Sequence, residues 1–414
     1  MRLTAASLLA LALACFWLVG GLDGCGNRST EAEAIRDAPP PAVVLVSIDG
    51  FRADYLDRSD VQAPVLRRLA EEGVRADRMV PVFPSITLPN HWSLATGLHP
   101  EAHGIVGNEF REPDGRVFAG ERKTGLTEPE WWGGEPIWQT AERQGLRAGT
   151  VFWPGSEAIP PSRWLKYDTS LPYDARVDTA LAWLDHGTHF VTLYFEAVDS
   201  AGHGHGPDTP EVARAIGRVD AALAHLVAGL EARRRLSTTD LVIVGDHGMT
   251  ALSRDRLVFL DDAADLGTEA EHILWSVPTH VWPRETADTD DLVTRLDALD
   301  HVSAYRREDT PEHLHFRKND RIAPVVVIPD LGWSVTTRAR AAADPAFPIA
   351  GSHGFDVREP DMHALFLARG PHFRSGQRIR SLRTVDVHGI LARALGIEPA
   401  PTAGSDELAG RLVR

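Results

Sequence analysis

The segment AVVLVSIDG at residues 42–50 decides the fold prediction. Its first seven residues are apolar or small and rich in β-branched side chains, which is typical of a strand buried on both faces of a parallel sheet. Asp49 and Gly50 follow where such a strand would end. Because ligands bind at the carboxyl ends of the strands in open α/β sheets, this position makes Asp49 a candidate site residue.

The same order of an apolar strand followed by acidic or histidine residues recurs along the chain. Residues 190–195 precede Asp199, residues 241–244 precede Asp246 and His247, and a further apolar run covers residues 364–367. Amphipathic helical patterns alternate with these strands at residues 63–72, 136–144, 177–184 and 210–233. Such alternation predicts an α/β fold with a doubly wound, mostly parallel sheet.

Between residues 261 and 350 the pattern changes to shorter elements. Strands are expected at residues 273–282, 301–306 and 325–328, and a helix at residues 289–299. We interpret this stretch as a small α+β cap subdomain inserted into a main domain that covers residues 42–414. No fixed-period repeat interrupts the main domain.

Residues 1–41 have the composition of a leader followed by a linker. An apolar run at residues 3–22 follows Arg2, and the chain then becomes polar and proline-rich. We predict a signal peptide at residues 1–25, in which Cys25 resembles a lipoprotein processing site, and a linker at residues 26–41. Lipidation of Cys25, an uncleaved helical anchor and cleavage without a lipid are the alternatives. Each implies export, to the periplasm or the cell surface, and two of them imply membrane attachment through the N-terminus.

Composition narrows the chemistry that the folded part can perform. Hydrophobic residues make up 43% and charged residues 24% of 414 residues, as in an ordinary globular protein. Both cysteines, Cys15 and Cys25, lie in the leader, so a metal site in the body would use histidine and carboxylate ligands. The formal net charge of −15 opposes binding of a long nucleic acid. A small anion held by a metal is compatible with that charge, and the oligomeric state is not predicted.

Six acidic and histidine residues near predicted strand ends form the candidate metal site. Singly, each is weak evidence, because an Asp after a strand is often a turn or a helix cap. Together, imidazole and carboxylate ligands without thiolates suit Zn²⁺ in an open catalytic site, and six are enough for two ions. Two metals would stabilise both the attacking and the leaving oxygen of an in-line phosphoryl displacement. The six residues are Asp49, Asp199, His203, Asp246, His247 and His353.

A hydroxyl in the segment FPSITLPNH, residues 83–91, is the candidate nucleophile. Prolines on both sides would hold this loop in place. A hydroxyl is a weak nucleophile at neutral pH and needs a base or a metal to activate it. On these grounds Thr87 and Ser85 are equivalent, and a turn without a catalytic role is the alternative.

The motifs, taken in order, resemble the nucleotide pyrophosphatase/phosphodiesterase family of the alkaline phosphatase superfamily. The resemblance spans residues 42–371, and agreement of this many blocks by chance is improbable. The matching blocks are SIDGFR (47–52), FPSITLPNH (83–91), LATGLHPEAHGIVGN (94–108), VDSAGH (198–203), GDHGM (245–249), GSHG (351–354) and MHALFLARGP (362–371).

The resemblance implies a two-zinc phosphodiesterase in which Thr87 is the nucleophile. Thr87 would attack phosphorus, and water would then hydrolyse the phospho-threonine intermediate. Asn108, together with the backbone N–H of the nucleophile, would stabilise the nonbridging phosphate oxygens. The ligand sets that the resemblance implies are Asp199, His203 and His353 for one zinc, and Asp49, Asp246 and His247, with the Thr87 oxygen, for the other.

The resemblance leaves the substrate open. Nucleotide-selective members of the family place an aromatic residue directly after the nucleophile, where this chain has Leu88, and stack the base against a tyrosine, at which position it has Tyr194. The expected substrate is a small phosphodiester or pyrophosphate, with nucleotides first and choline-type lipid headgroup diesters as the alternative. Tryptophans could line a substrate pocket or belong to the core; those considered are Trp131, Trp132, Trp153 and Trp164.

Two further functions are weighed against this prediction. A phosphomonoesterase of the same superfamily would need a group that recognises an extra phosphate oxygen, and Arg52 is the nearest candidate, although it is more often a salt-bridge residue. A non-catalytic surface binding protein would be expected to have lost metal ligands, and all six positions are intact. The enzyme is therefore the preferred interpretation.

Overall fold

The predicted buried strand at residues 42–48 lies near the centre of an eight-stranded sheet. The structure is a computed structural model that describes residues 41–120 and 124–414. The predicted signal peptide, with Cys25, and residues 26–40 of the predicted linker lie outside the described residues.

The strands are short, as is usual for a twisted sheet in a globular protein. In chain order they are β1 (Ala42–Ile48), β2 (Val74–Ala76), β3 (Met79–Val80), β4 (Glu109–Arg111), β5 (Val117–Ala119), β6 (Ala148–Val151), β7 (Arg163–Leu165), β8 (Phe190–Phe195), β9 (Thr239–Val244), β10 (Thr250–Ala251), β11 (Leu257–Phe259), β12 (Ala270–Leu274), β13 (Thr279–Pro283), β14 (Val302–Arg306), β15 (Val325–Pro329), β16 (Ser334–Thr336), β17 (Gly351–Ser352), β18 (Phe366–Arg369), β19 (Gln377–Ile379) and β20 (Leu382–Arg383).

The α-helices alternate with the strands of the main sheet, as the sequence pattern predicts. In chain order they are α1 (Pro64–Glu72), α2 (Thr87–Thr96), α3 (Pro100–His103), α4 (Ile137–Arg143), α5 (Tyr173–Asp185), α6 (Ala197–His205), α7 (Pro210–Ala232), α8 (Leu266–Glu269), α9 (Thr289–Asp297), α10 (Arg338–Ala343), α11 (Asp386–Leu395) and α12 (Asp406–Leu412).

The main sheet has the strand order β19–β2–β18–β9–β1–β8–β6–β7. Strand β1 pairs in parallel with both β8 and β9, and β6 continues the parallel run to β7. Only β18, among the described strands of this sheet, is antiparallel to both of its neighbours. The prediction of an α/β fold with a doubly wound, mostly parallel sheet is confirmed.

Successive residues of β1 enter the cores on opposite faces of the sheet. Val43 and Leu45 pack into one core with α2, α4 and α11, and Val44 and Val46 pack into the other with α1, α5 and α7. Side chains alternate between the two faces of a strand, so a strand covered on both sides is apolar at every position. This is why six of the seven residues 42–48 are apolar, the exception being the small, buried Ser47.

A second, four-stranded antiparallel sheet has the order β12–β13–β15–β14, and α9 packs against it. Its strands lie within residues 261–350, the stretch interpreted as a cap insertion, whose boundaries stay a prediction. The single strand expected at residues 273–282 is wrong, because the segment forms two strands, β12 and β13. Pro278 lies between them and has no N–H to contribute to a continuous ladder.

The strand expected at residues 364–367 is displaced by two residues, to β18. Ala364 instead exchanges backbone hydrogen bonds with Met79, and the Leu365 N–H donates to the Phe51 carbonyl. These contacts connect the chain before β18 to the segment that follows β1. In the part of the chain that the structure describes, no helix has the length and apolar composition needed to cross a bilayer.

The N-terminus of α1 is capped by a residue more than 150 positions later in the chain. Ala63, the residue before this helix, offers no side-chain acceptor. The Asp220 carboxylate on α7 accepts hydrogen bonds from the Val65 N–H at 3.1 Å and from the Leu66 N–H at 2.8 Å. Asp220 therefore satisfies two of the backbone donors that the first turn of a helix leaves unpaired.

We expect Asp220→Ala to lower the free energy of unfolding by about 1–2 kcal/mol, because one buried and one part-buried N–H group lose their acceptor. Thermal and urea unfolding followed by circular dichroism would measure the change. Glu231→Ala, at an exposed position on the same helix, is the matched control and should leave stability nearly unchanged. Equal stability of the two variants would contradict the capping role.

Candidate active site

Three neighbouring strands of the main sheet deliver acidic and histidine side chains to one edge. Asp49 follows β1, Asp199 lies on α6 directly after β8, and Asp246 and His247 follow β9. Gly50 has a φ of +67°, and a Cβ at this position would lie 2.8 Å from the Asp199 Cα. A glycine is therefore required where β1 turns away beside α6.

His203 and His353 complete a first cluster with Asp199. The His203 Nδ1 lies 2.9 Å from the Gly351 carbonyl oxygen, and the His353 Nδ1 lies 3.0 Å from the Ser85 carbonyl oxygen. A carbonyl can only accept, so each Nδ1 carries the hydrogen and each neutral ring presents a lone pair on Nε2. These two Nε2 atoms are 3.1 Å apart, and each lies within 3.5 Å of Asp199 Oδ1.

His247 is the centre of a second cluster and is oriented in the same way. Its Nδ1 donates to the Gly248 carbonyl at 2.9 Å, so its Nε2 also presents a lone pair. That Nε2 lies 3.4 Å from Asp49 Oδ1, 3.2 Å from Asp246 Oδ2 and 3.3 Å from the Thr87 Oγ1. Ligand atoms of Asp49, Asp199 and His247 lie within 4.8 Å of one another, so Asp199 borders both clusters.

The carboxylates of the site have oxygen atoms without hydrogen-bond partners. Among the described residues, no well-aligned donor reaches Asp49 Oδ1, Asp199 Oδ1 or Asp246 Oδ2, although all three atoms are buried. Unpaired buried acceptors are costly, and Asp49 Oδ1 and Asp199 Oδ1 face imidazole lone pairs rather than hydrogens. Asp246 Oδ2 lies 3.2 Å from the His247 Nε2 and 3.3 Å from the His91 Nδ1. The arrangement suits a bound cation, and both clusters are candidate metal sites.

The pKa values follow from this crowding. Burial, with the nearby charges of Asp246 and Asp199, raises the pKa of Asp49 well above its usual range. Burial also acts to raise the pKa of Asp246, but the imidazoles of His247 and His91 outweigh it and hold that pKa below its usual range. Burial lowers the pKa of His247 to about 4, so its ring is neutral at pH 7 and able to bind a metal.

The structure separates the two candidate hydroxyls. The Ser85 Oγ is buried; it donates to the Phe355 carbonyl at 2.9 Å and accepts from the Gly354 N–H at 3.2 Å. Thr87, in contrast, is the first residue of α2 and borders the cavity, with its hydroxyl beside His247. Ser85 therefore makes a structural contact, and of the two candidates Thr87 is the accessible hydroxyl at the candidate metal clusters.

Asn108 lies beside Thr87 at the edge of the same cavity. Its Oδ1 accepts a hydrogen bond from the Leu88 N–H at 2.9 Å. With the amide oxygen so engaged, the group that Asn108 can offer to an anion is the Nδ2 amide, which is a donor only. The α2 N-terminus adds the positive end of a helix dipole at the same place.

The cavity beside Thr87 has a volume of about 460 Å³ and an aromatic wall. Leu88 and Tyr194, both predicted to contact substrate, line it. Tyr194 is nevertheless nearly buried, and its hydroxyl donates a short hydrogen bond to the Asp49 carboxylate. The other lining residues include Leu126, Phe152, Trp153, Glu157, Tyr167 and Glu196.

Of the other residues that the sequence suggested, four tryptophans and Arg52, only Trp153 lines the cavity. Of the four tryptophans considered, Trp153 lines the cavity, Trp131 and Trp132 are buried in the core, and Trp164 is 40% exposed. Arg52 is not directed at the cavity, because its guanidinium pairs with Asp54 and Asp208, each at 2.6 Å, and donates to the Met249 carbonyl at 3.1 Å.

Tyr167 and His91 are among the residues of the site that were not singled out from the sequence. Tyr167 joins the cavity wall from the segment after β7, and no spacing in the sequence indicates this. His91 is buried one helical turn after Thr87, with its Nδ1 2.9 Å from the Thr87 carbonyl oxygen. Its position four residues after the candidate nucleophile Thr87 on a helix is a signal that could have identified it, since such residues lie on the same face.

Comparison with known proteins agrees with this geometry. The model of the type I phosphodiesterase/nucleotide pyrophosphatase family matches residues 43–356, which include all six candidate metal ligands and Thr87. The chain belongs to this family.

Members of the family with related sequences occur in fungi and animals. An uncharacterized pyrophosphatase/phosphodiesterase of Schizosaccharomyces pombe is 35% identical over 387 residues, covering 88% of this chain and 79% of the relative. A venom phosphodiesterase of Crotalus durissus collilineatus is 34% identical over 92% of this chain, and human ectonucleotide pyrophosphatase/phosphodiesterase family member 1 is 33% identical over 88%. The chain spans 47% and 41% of the lengths of these last two relatives.

Solved structures of the family share the fold. Murine ectonucleotide pyrophosphatase/phosphodiesterase 5 is 30% identical, with a TM-score of 0.83 over 90% of this phosphodiesterase-family chain and 100% of the murine chain. An inactive threonine-to-alanine variant of the murine protein in complex with AMP gives a TM-score of 0.84 over 91% of this chain.

We expect the protein to bind two equivalents of zinc, and His353→Ala to reduce this to about one, because the first cluster loses an imidazole. Equilibrium dialysis with elemental analysis would measure the stoichiometry. Bound metal should also raise the thermal midpoint, since ligands of the folded state stabilise it. His225→Ala, which removes an exposed imidazole paired with Asp178, is the control and should retain both equivalents. Unchanged stoichiometry in His353→Ala would contradict the assignment.

Proposed function

We propose that the chain is a two-zinc hydrolase that cleaves phosphodiester or pyrophosphate bonds of nucleotides through a phospho-threonine intermediate on Thr87. The observation that carries the proposal is the convergence of three imidazole lone pairs and three unpaired carboxylate oxygens beside the Thr87 hydroxyl. Such a set is unfavourable in a buried site unless a cation lies among its members. Membership of the family supports the reaction class.

The donor set fits zinc, which accepts imidazole nitrogen and carboxylate oxygen in catalytic sites, and manganese is the alternative for the same ligands. When bound, the metal ions supply positive charge that favours the alkoxide of Thr87 and offsets the charge on the leaving oxygen. The ligands in the proposal are Asp199, His203 and His353 for one ion, and Asp49, Asp246 and His247 for the other.

Thr87 provides the attacking oxygen in the first displacement. Its Oγ1 loses its proton and forms a bond to phosphorus while the bond from phosphorus to the leaving oxygen breaks, and the leaving alcohol or phosphate takes up a proton in exchange. Water then attacks the same phosphorus, the bond to Oγ1 breaks, and the proton that water loses balances the one that Oγ1 regains. Thr87 and a nucleoside monophosphate are released. The Asn108 amide and the N–H groups at the start of α2 would stabilise the nonbridging oxygens.

Nucleotides are the proposed substrates because a base can be held by the aromatic wall of the cavity. The AMP complex of the murine relative supports this class. Leu88 provides an aliphatic rather than an aromatic surface directly after the nucleophile, so base binding would depend on the opposite wall. In this proposal the protein acts on small molecules and works outside the cytoplasm. Relatives named as ectoenzymes or venom enzymes are in keeping with export.

A choline-type headgroup diester is the second candidate substrate, and one observation favours it. Glu157 and Glu196 line the cavity together with Phe152, Trp153 and Tyr167. Aromatic faces and carboxylates attract a quaternary ammonium group. The Glu196 carboxylate is, however, paired with the buried Arg176 at 2.7 Å, which reduces the charge that it can offer to a cation and leaves nucleotides as the first choice.

We expect Thr87→Ala to lose diester hydrolysis by about a thousandfold or more while retaining metal, because no other hydroxyl occupies the nucleophile position. The substrate for the assay is the p-nitrophenyl ester of thymidine 5′-monophosphate, with metal content measured in parallel. Ser85→Ala is the control: it should lower stability, because the Gly354 N–H loses its acceptor, and retain at least about a tenth of the activity. Greater loss in Ser85→Ala than in Thr87→Ala would refute the choice of nucleophile.

A diester should be a better substrate than a monoester, because the one arginine considered for the extra phosphate oxygen, Arg52, is fully engaged with Asp54 and Asp208. We expect kcat/KM for the thymidine monophosphate ester to exceed that for p-nitrophenyl phosphate by at least about tenfold. A higher value for the monoester would favour a phosphomonoesterase. A higher value for p-nitrophenyl phosphorylcholine than for the nucleotide would select the second candidate substrate.

A further inference from the structure

His91 is a fully buried histidine whose contacts fix the orientation and the tautomer of its ring. Its Nδ1 lies 2.9 Å from the Thr87 carbonyl oxygen, which can only accept, so Nδ1 carries the hydrogen. Its Nε2 then has a lone pair, which accepts a hydrogen bond from the Ser47 hydroxyl at 2.9 Å. Ser47 lies on β1, two residues before Asp49. The ring thus connects the first turn of α2 to the central strand of the sheet.

The same Nδ1 lies close to a carboxylate of the second metal cluster. It is 3.3 Å from Asp246 Oδ2, the oxygen that has no well-aligned donor, while Asp246 Oδ1 accepts from the Gly50 N–H at 3.0 Å. The Nδ1–H of His91 therefore donates to the nucleophile's own carbonyl and lies beside the unsatisfied oxygen of Asp246. Any rotation of the ring would change both contacts at once.

Aromatic packing prevents such a rotation. The rings of Trp153 and Tyr194 meet the imidazole edge to face, with centroids 5.1 Å and 5.2 Å from that of His91. The Trp153 indole N–H also donates to the His91 carbonyl at 3.2 Å. Tyr194 in turn donates to Asp49. Apart from Ser47 on β1, the contacts of His91 described above are thus with the nucleophile, with a carboxylate of the second cluster and with the wall of the cavity.

We propose that His91 is a positioning residue that aligns Thr87 with Asp246 and His247, so that the nucleophile and the second metal cluster keep a fixed geometry. The inference rests on the proposed function, because it assigns His91 a role in presenting Thr87 and a metal ligand. Outer residues of this kind tune metal affinity and activity by about 10- to 100-fold.

Two amide substitutions separate the contacts of the two ring nitrogens. His91→Asn places an amide nitrogen near the position of Nδ1 and keeps the donor to Thr87 and Asp246. His91→Gln places its amide near the position of Nε2 and keeps only the contact to Ser47. We expect His91→Gln to lower kcat by about 10- to 100-fold with KM within about threefold of the parent, and to weaken one of the two zinc equivalents by at least about tenfold. His91→Asn should remain within about threefold of the parent in both measurements.

The control for packing is His388→Gln. His388 is also a buried histidine, and its Nδ1 lies 2.8 Å from the Ala95 carbonyl at the other end of α2. This variant should lower the thermal midpoint about as much as His91→Gln but leave kcat and both zinc affinities unchanged. Zinc affinity would be measured by competition with a chromophoric chelator, and kcat with the thymidine monophosphate ester.

The proposal would be overturned if His91→Asn and His91→Gln lost kcat and zinc affinity equally, since that would indicate packing alone, or if His91→Gln matched the parent. A parent protein that hydrolyses no diester would refute the proposed function, and the zinc titrations of the two variants would then decide the role of His91 independently. A parent that also binds no zinc would refute both.

Discussion

The donation of each imidazole Nδ1–H to a backbone carbonyl is the interaction on which the site depends. His203, His247 and His353 all donate in this way, to Gly351, Gly248 and Ser85 respectively. The hydrogen bonds fix one tautomer, and the lone pairs on Nε2 then face carboxylate oxygens, joined at His247 by the Thr87 hydroxyl. Without a cation, the Nε2 lone pairs and the carboxylate oxygens repel one another. A bound cation would be attracted to both kinds of atom, so these backbone hydrogen bonds prepare the side chains to act as ligands.

The fold brings the groups of the site together from segments that are far apart in sequence. The central parallel strands bring the carboxylates to one edge of the sheet, as the carboxyl ends of such strands commonly do. The pairing of β10 with β17 then returns the chain so that His353 reaches the same place. The two hydrophobic cores on either face of β1 hold this edge rigid, because close-packed interiors deform little.

The sequence was most informative for features, such as strand positions, that depend on a local pattern of residues alone. Buried parallel strands are unbroken apolar runs, so β1, β8 and β9 could be located, and with them the residues at their ends. The choice between Ser85 and Thr87 could not be made, because it depends on a contact of Ser85 with Phe355, 270 residues away. The hydrogen bond from the Tyr194 hydroxyl to Asp49, 145 residues away in sequence, could not be predicted for the same reason. The β12–β13 hairpin was not predicted, because the apolar residues on both sides of Pro278 resemble one continuous strand.

The hydrogen bonds of Ser85 have a consequence for how such a protein can diversify. They join the loop that carries Thr87 directly to Gly354 and Phe355, so they help to hold the segment that carries His353. The antiparallel sheet of residues 270–329 lies upstream of this link and has a hydrophobic core of its own. Val326 and Ile328 of this sheet nevertheless pack into the main core, and Phe316 meets Phe83 edge to face at 5.2 Å. Substitutions on the side of this sheet that faces its own core are therefore the ones that the Thr87 loop should tolerate best.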